Sequence, residues 1–377
     1  MINGIKRQYK SILVLAIAML ISGCDVRLPT VNGPESEDLL PQLHGYIIMD
    51  RERGIIGIEL PSTKEIIIRK PWDKKNNPVD ALSGPDNQGR IAFIDSDLGA
   101  EIYSLKIIDM ATRKETVVFT LHGSYWPQDE NYGQSFSYSR TGGMVAFITN
   151  YKDDLSLIRN DYVNIGTLEI VKTEKGIVIK TKIKALDKGL AWFPDGKQLV
   201  YAALVRKNEL PHNLKMQFDD GFGREMNAWH SIPVVFVLDV ITMSSRPLHI
   251  GWNPIVSSDG SSIFIQDYKG RLRKYIMATH DSISVDIPPT KQSHVFSSIG
   301  NDVLLYKGLP TKGSKQKFRF TSTFGTTLYW TLKVAQLTTG KFKTIEQYLD
   351  IHRRVSYGEG NKLKNEGTEQ MARPDGE

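Results

Sequence analysis

Leu190-Ala191-Trp192-Phe193-Pro194-Asp195-Gly196-Lys197-Gln198-Leu199-Val200-Tyr201 is the stretch from which the fold is read. Two short apolar runs flank a Pro-Asp-Gly turn, in which proline presets one backbone angle and glycine accepts positive φ. The stretch predicts a β-hairpin with its apolar residues turned inward. Asp195 serves turn geometry here and is no catalytic candidate. Related copies lie at Ser83 to Phe93, with Pro85-Asp86 and Gly89, and at Phe136 to Phe147, with Thr141-Gly142-Gly143. Two more are Ile255 to Ile265, across Ser258-Asp259-Gly260, and Val295 to Tyr306, across Gly300-Asn301. A first, eroded copy sits at Gly45 to Asp50.

A second hairpin follows these copies, in which an apolar strand meets a polar turn and then another strand. Tyr103 to Phe119 crosses Ala111-Thr112-Arg113-Lys114, Val234 to Leu248 crosses Thr242-Met243-Ser244-Ser245, and Leu328 to Phe342 crosses Thr338-Thr339-Gly340-Lys341. Four strands per unit, repeated without a long amphipathic helix, predict an all-β radial propeller. Counting the units gives six four-stranded blades. A seven-bladed ring and a two-sheet sandwich are the alternatives.

The phrase Trp192-Phe193-Pro194-Asp195-Gly196 ahead of Leu199-Val200-Tyr201 resembles the repeat of TolB-type propellers, a WD40-like architecture in which an aromatic-Ser-Pro-Asp-Gly turn precedes an apolar strand. Phe193 stands where that repeat has serine. The likeness runs over most of Gly45 to Asp350 and implies a propeller fold. No α/β domain of the kind that the translocation protein carries is read ahead of the repeats.

The beginning of the chain has a different logic. Lys6, Arg7 and Lys10 form a basic head, Ile12 to Ile21 an apolar core, and Ser22-Gly23 a small-residue site before the only cysteine, Cys24. The apolar run is far shorter than the ~20 residues that a membrane-spanning helix needs, so it reads as a cleavable signal peptide. Leu20-Ile21-Ser22-Gly23-Cys24 resembles the lipobox of bacterial lipoproteins. The resemblance implies that Cys24 takes a diacylglycerol on its sulfur, becomes the first mature residue and is acylated again on its new amino group. Several acyl chains hold a protein stably where a single one does not. Asp25 resembles the signal that retains such proteins on the inner membrane, facing the periplasm; the outer membrane is the alternative.

Removing residues 1–23, which carry three basic groups and no acid, lowers the formal net charge from +6 to +3. No basic cluster alternates with aromatic residues as a nucleic-acid surface requires. With Cys24 committed to lipid, neither a disulfide nor a thiolate metal site can support the body, so a sizeable apolar core must. The expected organisation is a signal at 1–23, a flexible tether at 24–42, the propeller at 43–350 and a polar, disordered tail at 351–377. Pro29, Gly33, Pro34, Glu35, Glu37 and Asp38 give the tether its composition.

The widest departure from the repeat is Val205 to Pro233, an insertion between two strands of the fourth unit. It holds His212, Asp219, Asp220, Arg224, Trp229 and His230, a mixture suited to polar contacts around an aromatic anchor, and long loops on rigid scaffolds carry function. The two histidines and two aspartates lack the His-x-His or His-Glu-x-x-His spacing of a metal site. Asp95-Ser96-Asp97-Leu98-Gly99-Ala100-Glu101 is shorter than a calcium-binding loop and reads as an acidic hairpin turn. There is no Gly-x-Ser-x-Gly elbow, Walker loop or dinucleotide fingerprint, and no cofactor is implied. The expectation is a membrane-tethered scaffold that binds a protein or envelope ligand. The rival is an envelope enzyme acting on a glycan or peptide with acidic and histidine residues in the channel.

Overall fold

Each of the five turn repeats joins two neighbouring strands in the computed structural model, which describes residues 35–51, 54–70, 79–97, 102–122, 135–153, 164–187, 189–217, 231–267, 271–285, 294–299, 302–308, 330–349 and 355–358. Blade one begins with β1 (Gly45–Arg51), β2 (Gly54–Leu60) and β3 (Glu65–Arg69). Blade two is β4 (Val79–Ser83), β5 (Arg90–Asp97), β6 (Ile102–Asp109) and β7 (Glu115–His122). Blade three is β8 (Phe136–Tyr138), β9 (Met144–Asp153), β10 (Asn164–Lys172) and β11 (Ile177–Leu186). Blade four is β12 (Leu190–Trp192), β13 (Gln198–Arg206), β14 (Ser231–Asp239) and β15 (Ser244–Ile250). Blade five is β16 (Trp252–Val256), β17 (Ser262–Gln266), β18 (Leu272–Ile276) and β19 (Ser282–Val285). Blade six is β20 (His294–Ile299), β21 (Val303–Gly308), β22 (Trp330–Gln336) and β23 (Phe342–Leu349).

The last described strand, β24 (Val355–Gly358), pairs antiparallel with β1 and becomes the innermost strand of blade one. Six four-stranded antiparallel sheets result. The inner strands touch in the cyclic order β4, β8, β12, β16, β20, β24 and back to β4, which closes the ring.

Continuous apolar runs form the strands nearer the centre, such as β2, β5 and β13, because there both faces of the blade are buried. Along β1, Ile47 and Met49 pack toward blade six, whereas Tyr46 and Ile48 pack toward blade two. Along β13, Leu199 and Tyr201 face blade three and Val200 faces blade five. The core is thus a set of six wedges, one between each pair of neighbouring blades.

Two of the expected boundaries change. The expected polar tail begins at residue 351, yet Val355–Gly358 is a strand whose residues Tyr357 and Ser356 pair with Ile47 and Ile48. The expected tether runs to residue 42, yet Glu37–Gln42 forms a 3₁₀ turn whose Leu39 is 1% exposed in the wedge between blades one and six. In both places a few apolar residues outweigh polar neighbours, because each finds a groove that closure of the ring creates.

Candidate functional site

Sequential antiparallel strands send alternate connections to opposite faces. One face collects the tight turns, each of six residues or fewer between strands, such as Ser83 to Arg90 and Asp239 to Ser244. The opposite face collects the remaining connections, among them the two longest, between Arg206 and Ser231 and between Gly308 and Trp330.

On the turn face, side chains link neighbouring and next-neighbouring blades. Arg140 of blade three reaches past blade four, and its Nη1 donates to the Ser258 carbonyl of blade five at 3.3 Å. The Asn87 amide donates to the Arg140 carbonyl at 2.9 Å. Tyr138 Oη donates to Asp86 Oδ2 at 3.0 Å, and Arg90 Nη2 lies 2.7 Å from the same oxygen. Burial first, then the negative charge of Asp86, pushes the Tyr138 hydroxyl well above its ordinary range. Two other turn aspartates bond within their own turns: Asp195 Oδ1 accepts from the Lys197 amide at 2.9 Å, and Asp259 Oδ1 accepts from the Ser261 amide at 3.0 Å.

Toward the other face, polar groups sit at the starts of the inner strands. Asp80 is second in β4, Asn253 is second in β16, Ser135 precedes β8 and Asp187 lies just ahead of β12. Asn253 Nδ2 donates to Gln266 Oε1 at 2.8 Å while its backbone holds φ of 49°. Asp267 Oδ1 accepts from the Arg271 amide at 2.8 Å and Oδ2 pairs with the Arg271 guanidinium. His249 is buried near the end of β15, with Nδ1 2.7 Å from the Ile250 carbonyl. Burial pushes its pKa down to about 4, with Arg273 adding to the effect. These polar groups, most of them buried, lie at the strand ends of the long-connection face. Among the described residues, no three His, Cys, Asp or Glu converge as a metal site would need.

Several candidate residues, Asp219, Asp220, Arg224, Trp229 and His230, lie outside the described residues, as do Cys24 and Asp25. His212 opens α1 (His212–Gln217) and is exposed. Beside it, Leu210 and Leu214 pack on Ile232, Val234 and Ile250 of blade four. The described start of the insertion, Lys207 to Gln217, is therefore clamped on blade four.

Asp95 corrects an expectation. It stands inside β5, not in a hairpin turn, and is 1% exposed. Its Oδ2 lies 3.1 Å from Arg69 Nη2 and 2.6 Å from Lys106 Nζ, while Arg69 Nε lies 3.0 Å from Glu115 Oε1. Burial raises the pKa of Asp95, and Lys106 and Arg69 pull against that rise. Because Arg69 belongs to blade one and the other three to blade two, the cluster ties the blades together. An acid following Ile91-Ala92-Phe93-Ile94 was the available signal, since a charge in such a run must be paired.

No protein-family model matches this chain, and no curated protein sequence matches it either. Solved structures do. TolB from Acinetobacter baumannii aligns with a TM-score of 0.53 and 12% identity over 83% of this chain and 66% of its own. A structure described as a TolB, from Agrobacterium tumefaciens, aligns over 84% of this chain and 99% of its own, with 11% identity and a TM-score of 0.48. The tricorn protease aligns over 80% of this chain but 29% of its own, with 10% identity and a TM-score of 0.40. The chain thus spans just under two thirds of the Acinetobacter protein. Likeness at this identity is likeness of architecture: the chain has the fold of a TolB-like six-bladed β-propeller.

Proposed function

We propose that the protein is a lipoprotein of the bacterial cell envelope, anchored through Cys24, whose propeller binds a protein partner at its long-connection face and catalyses no reaction. The asymmetry between the faces carries the reading. Turns of six residues or fewer gather on one face, and the two longest connections join strand ends at the other, where several buried polar residues lie. A rigid frame with long segments gathered on one side is the arrangement by which propellers and similar scaffolds recognise partners. Trp229, His230, His212, Asp219, Asp220 and Arg224 all belong to the larger of those connections and are the residues we assign to recognition.

Affinity purification of the tagged full chain from mildly solubilised membranes tests the proposal. The expected result is one stoichiometric partner, lost when residues 218–230 are replaced by a Gly-Ser segment of equal length. Recovery of no partner across several mild detergents, or recovery unaffected by that replacement, overturns it. The anchor is tested separately by Cys24→Ser, which is expected to leave the signal uncleaved. Normal cleavage with unchanged membrane retention overturns the lipid assignment.

A further inference from the structure

The segment just before β1 is bound along the outer edge of the last blade. The Ser36 amide donates to the Phe342 carbonyl at 2.9 Å, a strand-like bond to the outermost strand β23. Glu35 Oε1 accepts from the Thr344 hydroxyl and its Oε2 lies 3.3 Å from Lys343 Nζ. Glu37 pairs with Lys343, and Asp38 Oδ2 lies 3.8 Å from Lys341 Nζ. Leu39 and Leu43 then fill the wedge between blades six and one. Three acids and two buried leucines thus meet two lysines and an apolar groove, and the strap runs back along β23 from Asp38 to Glu35.

We propose that this strap is an oriented mount: it transfers the lipid anchor from the start of β1 to the rim of blade six, and so sets which side of the propeller faces the bilayer. The inference rests on the reading of Cys24 as the lipid attachment point. With Glu35 held on the rim, only residues 25–34 separate the fixed point from Cys24. Eleven peptide steps reach at most about 36–40 Å even when fully extended. Had the tether been free as far as residue 42, its maximal reach would have been about 60–70 Å. The shorter span keeps the rim of blade six within that reach of the headgroups and leaves blade three, three positions round the ring, farthest from the attachment point. The long-connection face then opens laterally, accessible to a partner that is itself membrane-bound.

Energy transfer from a single site on the full lipidated chain to an acceptor on vesicle headgroups tests the mount. Cys24 is the only cysteine, so once lipidated it leaves an introduced cysteine as the sole target for a dye. Thr339→Cys in a turn of blade six and Lys175→Cys in the corresponding turn of blade three are both exposed and lie on the same face. Transfer is expected to be clearly greater from position 339 than from position 175. Lys343→Glu, which sets a third acid against Glu35 and Glu37, is expected to abolish that difference. Adding Glu35→Lys and Glu37→Lys to Lys343→Glu is expected to restore it. Vesicle-bound protein with equal transfer from both sites, or a difference untouched by Lys343→Glu, overturns the mount while leaving the anchor standing. Failure of the native chain to float with the vesicles overturns the anchor and the mount together.

Discussion

His249 shows how one buried side chain makes stability depend on pH. It is 3% exposed, stands edge-on to Tyr275 at 6.2 Å between ring centres, and is held neutral with its pKa pushed down to about 4. In the unfolded chain the imidazole takes its proton near the ordinary value of 6.5. Between those values the unfolded state binds more protons than the folded one, so stability is complete above pH 6.5 and is lost as the pH falls toward 4. Each tenfold gap in proton affinity is worth about 1.4 kcal/mol, so the loss attributable to this residue is about 3 kcal/mol. Urea denaturation of the native chain and of His249→Gln between pH 7 and 4 should show the variant's profile flatter by about that amount. The cluster around Asp95 behaves differently, because its acidic and basic side chains are paired with one another across two blades. Arg69→Met strands Asp95 and Glu115 with Lys106 alone, and removing one partner of a buried pair costs about 3–5 kcal/mol. Thermal denaturation at neutral pH is the measurement; a shift within error would mean that Lys106 suffices.

Turns carry the repeat more faithfully than residue types do. In the second hairpin of every blade one residue has positive φ: Thr63, Arg113, Gly176, Met243, His280 and Gly340, with φ from 54° to 67°. Only two of the six are glycine, so the period is regular in the backbone and nearly invisible in the letters. In the first hairpin the equivalent residues are Gly89, Gly142, Gly196 and Gly260, with φ from 69° to 78°, which is why these turns were legible and the others less so. The two sets explain what a sequence reading could reach. Apolar runs and Gly-containing turns announced the hairpins, whereas the strap at Glu37–Gln42 and the strand at Val355–Gly358 are defined by grooves between blades far apart in the chain. The candidate site was legible only as an unusually long insertion, since the face to which it belongs follows from strand order and not from any local motif. Two glycines separate backbone strain from packing. A Cβ at Gly89 would meet nothing within 4 Å, but one at Gly142 would fall 2.1 Å from Arg90 Nη2 and 2.2 Å from Asp86 Oδ2. Gly89→Ala should therefore cost only the left-handed penalty of about 1–2 kcal/mol, and Gly142→Ala clearly more, because it also displaces the Asp86–Arg90 pair. Equal losses in chemical denaturation would show that the contact between the two turns is slack.

At the scale of the molecule, both ends of the described chain are used to close the ring. β24 supplies the inner strand of blade one and stands between β20 and β4 in the ring, while the strap fills the wedge that blade one shares with blade six. A ring of blades is stable only if every wedge has both walls, because each blade buries its two faces against its neighbours. Without β24, the inner edge of β1 loses its pairing from Tyr46 to Met49, four residues that are each no more than 2% exposed. Gly358 shows how tight the closure is, since a Cβ there would lie 2.3 Å from the Pro85 carbonyl oxygen of blade two. A chain ending at residue 354 should therefore lose far more stability than its four missing strand residues bury by themselves, and Gly358→Val should lose part of the same amount by wedging blades one and two apart. Hydrogen exchange locates the effect: protection in the truncated chain should fall first in β1, β4 and β20, which border the gap, and last in β12, on the far side of the ring. Uniform loss across all blades would mean that the propeller unfolds as a single unit whose closure has no local weak point. Unchanged protection in β1 would mean that β24 is not what holds the ring shut.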